Sequence, residues 1–357
     1  MTGREFPLNL ILNAKIEVRD ENIENMEKNR FLENPVFPDW LSIYMAVKEK
    51  IPELNTINKR FYHYTSIDGF MSILQNRDFW ISNIRFMNDS QEFENGKEIC
   101  QRIVKDKLES CDSNTKVFLE KILEISECNR SEGLNAISKK DIYALSFCAG
   151  GDILSQWQFY GNNGVAIGFE NGFDINSGID LMNEDQYLKE IALIPPENMM
   201  PHNGLYLFPY DIIYADDMKK RIIKEILEIG INYFQKWGIN VLDMSVAGVS
   251  DALFYYFALM KDEHYSHENE KRFLYYTDKD DSRVYFRKRG NILLPYKKMK
   301  ILDCNCRPHD KFPIFDIVIA PSSQAEYVRE SIIFFLEKSG YDYLTEKVRI
   351  SEIPYRG

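Results

Sequence analysis

The chain has 357 residues, a formal net charge of −11, 45% hydrophobic residues and 13% aromatic residues. A chain of this length and composition can bury a sizeable core as one large domain or two modest ones. The acidic balance counts against broad binding to a phosphate backbone, which needs a basic surface. It still permits a local basic segment, for which the candidates are Arg283, Arg287, Lys288, Arg289, Lys297, Lys298 and Lys300.

The six cysteines form no recognisable disulfide or metal pattern. A large core does not need disulfides and the chain has no signal-peptide pattern, so we expect reduced thiols and a cytoplasmic location. Cys304, Cys306 and His309 lie close together but lack a second ligand pair at zinc spacing, so we expect no metal. The most apolar window, residues 241–260, contains two aspartates, and we expect no membrane span.

Residues 1–59 differ from the rest of the chain. Pro35, Pro38 and Pro52 interrupt the segment. Between Pro38 and Pro52 an apolar helical face is formed by Trp40, Leu41, Tyr44 and Val47. We predict an N-terminal helical or irregular arm over residues 1–59. Its apolar face is expected to pack on the main body or on a second copy of the chain.

Residues 60–357 are predicted to form the main body. Strands are predicted at 61–64, 79–82, 143–148, 165–169, 272–276, 316–320 and 347–351. Helices are predicted after an N-cap at Ser66, at 94–109, 116–125, 218–237 and 244–260, and from Ser322 or Ser323 to Glu337, with Gly340 as the stop. Helices and strands are mixed without a regular βαβ alternation, which predicts the α+β class.

The first polar cluster lies at the end of the first strand of the main body. His63 is followed by Tyr64 and by a polar turn at Thr65 and Ser66. A histidine in this position either hydrogen-bonds a sugar hydroxyl or a carboxylate, or serves the structure alone. Tyr64 is predicted to pack in the core, and Thr65 either caps the next helix or contacts a ligand.

The second cluster is aromatic. Trp157 and Tyr160 are three residues apart and would share one helical face. Tyr160 is followed by a turn-rich link, residues 161–164, which places its ring at the end of an element. The pair therefore either belongs to the core or offers Tyr160 as a stacking surface for a flat ring.

The third cluster carries paired carboxylates. Glu268, Glu270 and Arg272 alternate along one face if the segment is extended. Such charges are costly to bury without partners, so either one carboxylate pairs with Arg272 while the other meets a substrate, or the face is solvated. His264 and His267, with the charged residues 261–263, are predicted to form an exposed loop.

Several common enzyme signatures are missing from the sequence. There is no glycine-rich dinucleotide-binding motif after a strand and no phosphate-binding loop of the GxxxxGK[ST] type. There is also no GxSxG elbow and no HExxH motif, so familiar hydrolase and zinc-protease interpretations have no support.

Taken together, the motifs resemble a large uncharacterised bacterial family of unknown function. The pattern consists of His63-Tyr64-Thr65, Asn88-Asp89 with Glu92, Leu145-Ser146-Phe147, Trp157 to Gly161, Glu268 to Arg272, Pro295-Tyr296 and Pro354-Tyr355-Arg356. The resemblance spans about residues 60–357, and the motifs are specific only as a set. The family brings no established activity with it.

A more distant resemblance is to ADP-ribosyltransferases of the His-Tyr-Glu type. It rests on a strand with His63, a following helix and the strand at Phe79-Trp80-Ile81-Ser82, and then on the order His63, Tyr160, Glu270. It implies a mixed, mainly antiparallel sheet with surrounding helices and NAD as the substrate. The separations exceed those of compact transferases, so helical insertions are expected, and Glu268 competes with Glu270 for the catalytic role.

The resemblance also implies roles for individual residues. His63 would hold the ribose, Tyr160 would stack on nicotinamide, and Glu270 would stabilise the oxocarbenium-like transition state. The predicted catalytic residues are Glu270, Glu268 and His63, and the predicted NAD-binding residues are His63, Tyr64, Thr65, Trp157, Tyr160 and Arg272. We expect His63, Tyr160 and Glu270 to line one cleft.

Three functional classes remain open. The first is an ADP-ribosyltransferase acting as an intracellular toxin or phage-defence effector, with an acceptor that is either a protein or a nucleic acid. The second is a non-catalytic sensor that binds a nucleotide or a partner protein. The third is a nucleic-acid-processing enzyme that uses the basic segment. A homo-oligomer or a cognate defence-system partner is compatible with the first two.

Overall fold

A computed structural model describes residues 40–55, 60–87, 92–127, 140–161, 163–170, 173–174, 206–207, 209–278, 284–300 and 312–354. Helices and strands are mixed along this part of the chain, so the prediction of the α+β class is confirmed. Several predictions fall outside the described residues. They concern residues 1–39, Asn88, Asp89, Arg283, Cys304, Cys306, His309, Tyr355 and Arg356.

The strands form mainly antiparallel pairs. Their bounds are β1 Arg60–Thr65, β2 Asp78–Asn83, β3 Lys140–Cys148, β4 Val165–Glu170, β5 Phe173–Asp174, β6 Tyr206–Leu207, β7 Tyr210–Asp211, β8 Glu270–Asp278, β9 Tyr285–Arg289, β10 Ile292–Lys300, β11 Ile314–Ile319 and β12 Val348–Ile350. Ten of them form one sheet with the order β12-β11-β4-β1-β3-β2-β10-β9, and β8 pairs with β3 and β7. Only β11 and β12 run parallel among the described pairs of this sheet.

Helices cover the sheet. Their bounds are α1 Trp40–Lys50, α2 Ile67–Asn76, α3 Glu92–Leu108, α4 Ser113–Glu127, α5 Leu154–Gln156, α6 Asp216–Trp237, α7 Leu242–Phe257 and α8 Ala325–Lys338. A π-helical turn, Trp157–Gly161, continues α5, and 3₁₀ segments lie at Pro52–Asn55, Ile84–Phe86, Ile239–Val241, Glu263–Glu268 and Asp342–Lys347. The strongly amphipathic segment at 218–237 is α6, as predicted from its helical period.

Two large apolar cores sit on different parts of the sheet. The first joins α1, α3, α4, α6 and α7 to side chains of β3, β7 and β8. The second contains phenylalanine rings from four strands, Phe61, Phe79, Phe147 and Phe169, together with side chains of α2 and α8. Phe147 meets Phe61 and Phe79 edge to face, at 4.9 and 5.9 Å between centroids, a favourable aromatic geometry.

Two residues of the predicted apolar face of the N-terminal segment are buried. Tyr44 and Val47 of α1 belong to the first core, and Tyr44 packs edge to face on Tyr210 and Tyr255 at 6.2 and 5.6 Å. This part of the segment therefore packs on the main body, which is one of the two partners expected from the sequence.

Two strands, β1 and β2, pair with different parts of the same edge of β3. Tyr62 of β1 pairs with Cys148, whereas Ser82 and Asn83 of β2 pair with Ala144 and Tyr143. Among the described strands, residues 145–147 have no strand partner on this edge. The sheet is therefore split beside Ser146, and we call this place the β3 split.

Two local predictions need correction. The N-cap position of α8 is Gln324, without a side-chain cap, and Ser322 instead accepts a hydrogen bond from the Gln324 amide at 3.3 Å. The basic segment after residue 283 contains the β9–β10 hairpin, which the sequence analysis treated only as a source of charge. By contrast, Ser66 caps α2 as predicted, accepting from the Gly69 amide at 3.1 Å.

Candidate functional site

The paired carboxylates form a buried ion-pair cluster with two basic side chains. Lys261, Glu268, Glu270 and Arg272 are each at most 8% exposed. Their formal charges cancel, and each acidic group has a basic partner. Because an unpaired buried charge is strongly destabilising, this mutual pairing is what permits the cluster inside the protein. We call these four residues the charge cluster.

Glu270 is the centre of the charge cluster. Its Oε1 accepts hydrogen bonds from Ser146 Oγ and from Arg272 Nε, both at 2.7 Å. Its Oε2 accepts from Arg272 Nη2 at 3.0 Å and from Lys261 Nζ at 3.3 Å. Burial opposes ionisation, but the charges of Arg272 and Lys261 and the hydrogen bonds outweigh it and lower the pKa of Glu270. Glu270 is therefore an ionised carboxylate at neutral pH.

Glu268 lies beside Glu270 but not on the same strand. It ends the 3₁₀ segment Glu263–Glu268, and Asn269, with φ of 44°, turns the chain into β8. Asparagine tolerates this left-handed conformation better than most residues. The turn brings Glu268 Oε2 to 2.5 Å from Lys261 Nζ. The expectation that Glu268 alternates with Glu270 along one extended face is therefore wrong.

Lys261 is a site residue that the sequence analysis placed in an exposed loop. It is 3% exposed and bridges Glu268 and Glu270. His264 and His267, which follow it, are exposed as expected. A buried lysine among charged neighbours has no periodic signal of its own. The hint available was that two carboxylates beside one arginine leave a surplus negative charge that needs a second cation.

Arg272, which was predicted to bind NAD, is buried within the protein. It is 2% exposed, and besides Glu270 it donates from Nη1 to the Ala258 carbonyl at 3.0 Å. The sequence analysis offered the alternative that one of the two carboxylates pairs with Arg272, and this carboxylate is Glu270. The second carboxylate, Glu268, pairs with Lys261.

His63 contacts the other side of Ser146. Its Nδ1 lies 3.0 Å from the Ser146 carbonyl oxygen, at the β3 split. Burial lowers the pKa of His63 and the charge of Arg287 adds to this, although the hydrogen bond to Ser146 opposes both. The imidazole is therefore neutral at neutral pH. Since a carbonyl only accepts, Nδ1 carries the proton and Nε2 is left as an acceptor.

The side chains of His63 and Glu270 leave the sheet on opposite faces. Tyr62 pairs with Cys148, and Cys148 pairs with Glu270, so these three share one face. His63 follows Tyr62 and points the other way, where its ring meets Phe79 and Phe147 at 5.5 and 5.7 Å. The expectation that His63 and Glu270 line one cleft is therefore wrong: their side chains lie on opposite faces, and Ser146 contacts both.

The aromatic residues of the WxxYG motif separate into a buried and an exposed member. Trp157 is 6% exposed, donates from Nε1 to Asp152 at 2.7 Å and packs on Tyr64 at 4.7 Å. Tyr160 is 41% exposed. A Cβ on Gly161 would lie 2.4 Å from the Trp157 ring, so this close approach requires glycine. The Tyr160 ring is therefore partly exposed and meets the Phe159 ring at 6.4 Å, whereas Trp157 supports the turn.

Tyr64 and Thr65 have mainly structural surroundings. The Tyr64 hydroxyl donates to the Gly150 carbonyl and accepts from the Ile153 amide, both at 3.0 Å, so Tyr64 is a packing residue as the sequence indicated. The cap of α2 is Ser66 and not Thr65. Gln156, beside the WxxYG turn, donates to the Glu268 carbonyl at 3.3 Å and so joins this turn to the charge cluster.

No metal or membrane feature was found in the described part of the chain. No group of three or more His, Cys, Asp or Glu side chains in these ranges is arranged to hold a metal ion. None of the helices described there has the length and apolar character needed to cross a bilayer.

The fold and site define a mixed α+β protein with a split, mainly antiparallel sheet and a buried charge cluster beside the split. A family model described as "Protein of unknown function (DUF2971)" matches residues 156–273. The matched segment contains both the WxxYG turn and the charge cluster. No curated protein and no solved structure matches the chain.

The lowered pKa of Glu270 predicts a loss of stability in acid. In the unfolded chain this carboxyl titrates near its ordinary value of 4.5, so its contribution to stability is complete above that pH and is lost as the pH falls below it. We expect Glu270→Gln to be less stable at neutral pH by about 3–5 kcal/mol. Its free energy of unfolding, measured with denaturant between about pH 7 and 3, should vary less with pH than that of the wild type.

Glu120→Gln is the matched control for this measurement. Glu120 lies on α4 and forms only an exposed pair with Lys116 at 3.9 Å, so its loss should change little. An identical acid profile in wild type and Glu270→Gln would contradict the assignment of Glu270 as an ionised group with a lowered pKa.

Proposed function

We propose that the chain is an NAD-dependent ADP-ribosyltransferase in which Glu270 is the catalytic carboxylate. The observation that carries this proposal is the arrangement at Ser146. Its hydroxyl holds the ionised Glu270 at 2.7 Å, while its carbonyl contacts His63 at 3.0 Å. A fixed negative charge is suited to stabilise the positive charge that develops on ribose as nicotinamide leaves.

The β3 split is the place where a substrate would meet both groups. His63 and Glu270 leave the sheet on opposite faces, so a ligand on either face alone would contact one of them. We place the ligand at the edge of residues 145–147, between β1 and β2, where His63 contacts the Ser146 carbonyl. There His63 Nε2 would accept a hydrogen bond from a ribose hydroxyl. Tyr160, which is exposed, would stack on nicotinamide.

The charge cluster assigns different roles to the two carboxylates. Glu270 touches Ser146 at the split and is assigned the electrostatic role. Glu268 is held by Lys261 at 2.5 Å and its backbone carbonyl accepts from Cys148 and Gln156. Glu268 is therefore proposed to keep Lys261, and through it Glu270, in position.

A second candidate is a binding module without catalysis. It is favoured by the complete pairing of Glu270 with Arg272, Lys261 and Ser146, because a carboxylate so well satisfied can serve stability alone. In this case the pocket would bind a nucleotide or a partner and turn over no NAD.

Loss of the Glu270 charge should separate these candidates. We expect Glu270→Gln to keep most of its affinity for NAD, because the amide retains hydrogen-bonding capacity, while turnover falls by about two orders of magnitude or more. Release of labelled nicotinamide measures turnover, and calorimetric titration measures affinity, both below the melting temperature of the variant.

Arg272→Ala and Glu268→Gln are the controls. Arg272→Ala should mainly lower the melting temperature, since Arg272 is buried against Glu270 and Ala258. Glu268→Gln should reduce turnover less than Glu270→Gln, and the opposite order would move the catalytic role to Glu268. Wild-type protein that binds NAD without any turnover in the presence of cell lysate would favour the binding module.

Stacking on Tyr160 predicts how NAD changes thermal stability. A ligand that binds only the folded state raises the melting temperature. We expect NAD to raise the melting temperature of the wild type but not that of Tyr160→Ala. Phe159→Ala is the control, because Phe159 is the exposed neighbour on the same turn, at 73%. Equal shifts in wild type and Tyr160→Ala would remove Tyr160 from the NAD site.

An effector that consumes NAD or modifies a host macromolecule should harm the cell that makes it. We expect expression of the wild type in bacteria to slow growth, and His63→Ala and Glu270→Gln to relieve this at matched protein levels. The growth rate and the cellular NAD content are the measurements. Arrest of equal strength in both variants would contradict a catalytic origin of the toxicity.

A further inference from the structure

The β9–β10 hairpin carries a charge opposite in sign to that of the whole chain. Residues 284–300 contain six lysines and arginines and no aspartate or glutamate, in a chain with a net charge of −11. Positive charge concentrated on one element is the usual electrostatic feature of a surface that binds a polyanion.

An aromatic ladder crosses three strands on one face of this hairpin. Trp80 of β2 and Tyr296 of β10 are stacked, with 4.5 Å between centroids and 25° between ring planes. Tyr285 of β9 continues the ladder at 5.6 Å and 31° from Tyr296. The register supports this alignment, because Tyr296 pairs directly with Tyr285 and with Ser82.

Cationic groups lie over the rings of the ladder. The Arg287 guanidinium is 5.7 Å from the Trp80 ring centre and 5.8 Å from that of Tyr296, and it donates to Ser82 Oγ at 2.8 Å. Lys298 Nζ lies 5.0 Å from the Tyr285 ring centre. Arg289 shares this face with Tyr285 and Arg287 by strand alternation. We call Trp80, Tyr285, Arg287, Arg289, Tyr296 and Lys298 the hairpin surface, in which Tyr296 is the buried middle ring and Tyr285 the exposed outer ring.

We propose that the hairpin surface binds single-stranded nucleic acid. Exposed aromatic rings beside arginine and lysine are the features by which proteins hold unpaired strands, since bases stack on the rings and phosphates contact the cations. Tyr285 is the outermost ring of the ladder and is 40% exposed, so a base can stack on it. Bases within a duplex are already stacked, which makes a single strand the expected ligand.

The hairpin surface adjoins the candidate active site. Arg287 donates to Ser82 Oγ at 2.8 Å, and Ser82 pairs with Ala144 of β3, two residues before Ser146. A strand bound along the ladder would therefore pass close to the β3 split. The binding proposal does not depend on ADP-ribosyl transfer and is tested without NAD.

Two exposed apolar residues of the same hairpin belong to its other face. Phe286 and Leu293 are 62% and 66% exposed. They pair with Pro295 and Lys288, whereas the ladder residues Tyr285 and Tyr296 pair with each other, so the alternation of side chains separates the two sets. An anionic membrane would use Phe286 and Leu293, and a single strand would use the ladder.

Fluorescence anisotropy with labelled 20-nucleotide oligomers tests the proposal on the full chain. We expect binding to oligo-dT and oligo-U, weaker binding to a duplex of equal length, and an affinity that falls with rising salt. Tyr285→Ala should weaken binding about 10-fold. Arg289→Glu should weaken it and reduce the salt dependence. The relative affinity for oligo-dT and oligo-U distinguishes DNA from RNA as the ligand.

Matched controls come from exposed residues elsewhere on the chain. Tyr327→Ala removes a 73% exposed ring from α8, and Lys220→Glu reverses a surface charge on α6; neither should change the affinity. Melting temperatures establish that each variant is folded. The proposal is overturned by absent oligomer binding, by equal binding of duplex, by hairpin variants that bind like wild type, or by binding only to phosphatidylserine vesicles that is lost in Phe286→Ala.

Discussion

The charge cluster is the constraint on which this part of the fold depends. Four charged side chains are removed from water, and this is tolerable only because two cations and two carboxylates are paired and hydrogen-bonded. The members come from the segment after α7, from the 3₁₀ segment before β8, and from β8 itself. Through Ser146 the cluster also contacts β3. The position of β8 against β3 is therefore coupled to the segment that follows α7.

The main elements of the fold follow from patterns visible in the sequence. Strands at 143–148 and 165–169 are mostly apolar, with Ser146 as the polar exception, because both faces of β3 and β4 are covered by core. Segment 218–237 has a helical period and folds as α6. The β9–β10 hairpin was missed because its basic and apolar residues stand in runs, residues 287–289 and 292–294, without the alternation that marks a strand. Such a pattern describes an exposed edge as well as a loop when no neighbouring strand is known.

The site was only partly predictable for a physical reason. Glu270 and Arg272 are two residues apart on a strand, so their proximity follows from local geometry. Lys261 joins them through the turn at Asn269, whose left-handed backbone reverses the chain, and no spacing rule predicts that contact. The face on which His63 lies depends on the register of β1 with β3. A shift of one residue would exchange Tyr62 and His63 between the two faces.

His63 and Glu270 both contact Ser146 at the β3 split. Where β1 and β2 separate along β3, the Ser146 carbonyl accepts from a neutral imidazole, and the hydroxyl of the same residue holds an ionised carboxylate. Neither group is suited to donate a proton at neutral pH, because His63 already donates from Nδ1 and Glu270 has a lowered pKa. Both are suited to accept hydrogen bonds from hydroxyl groups or to stabilise positive charge. The chemistry of this site therefore favours electrostatic stabilisation of a cationic transition state over general acid catalysis.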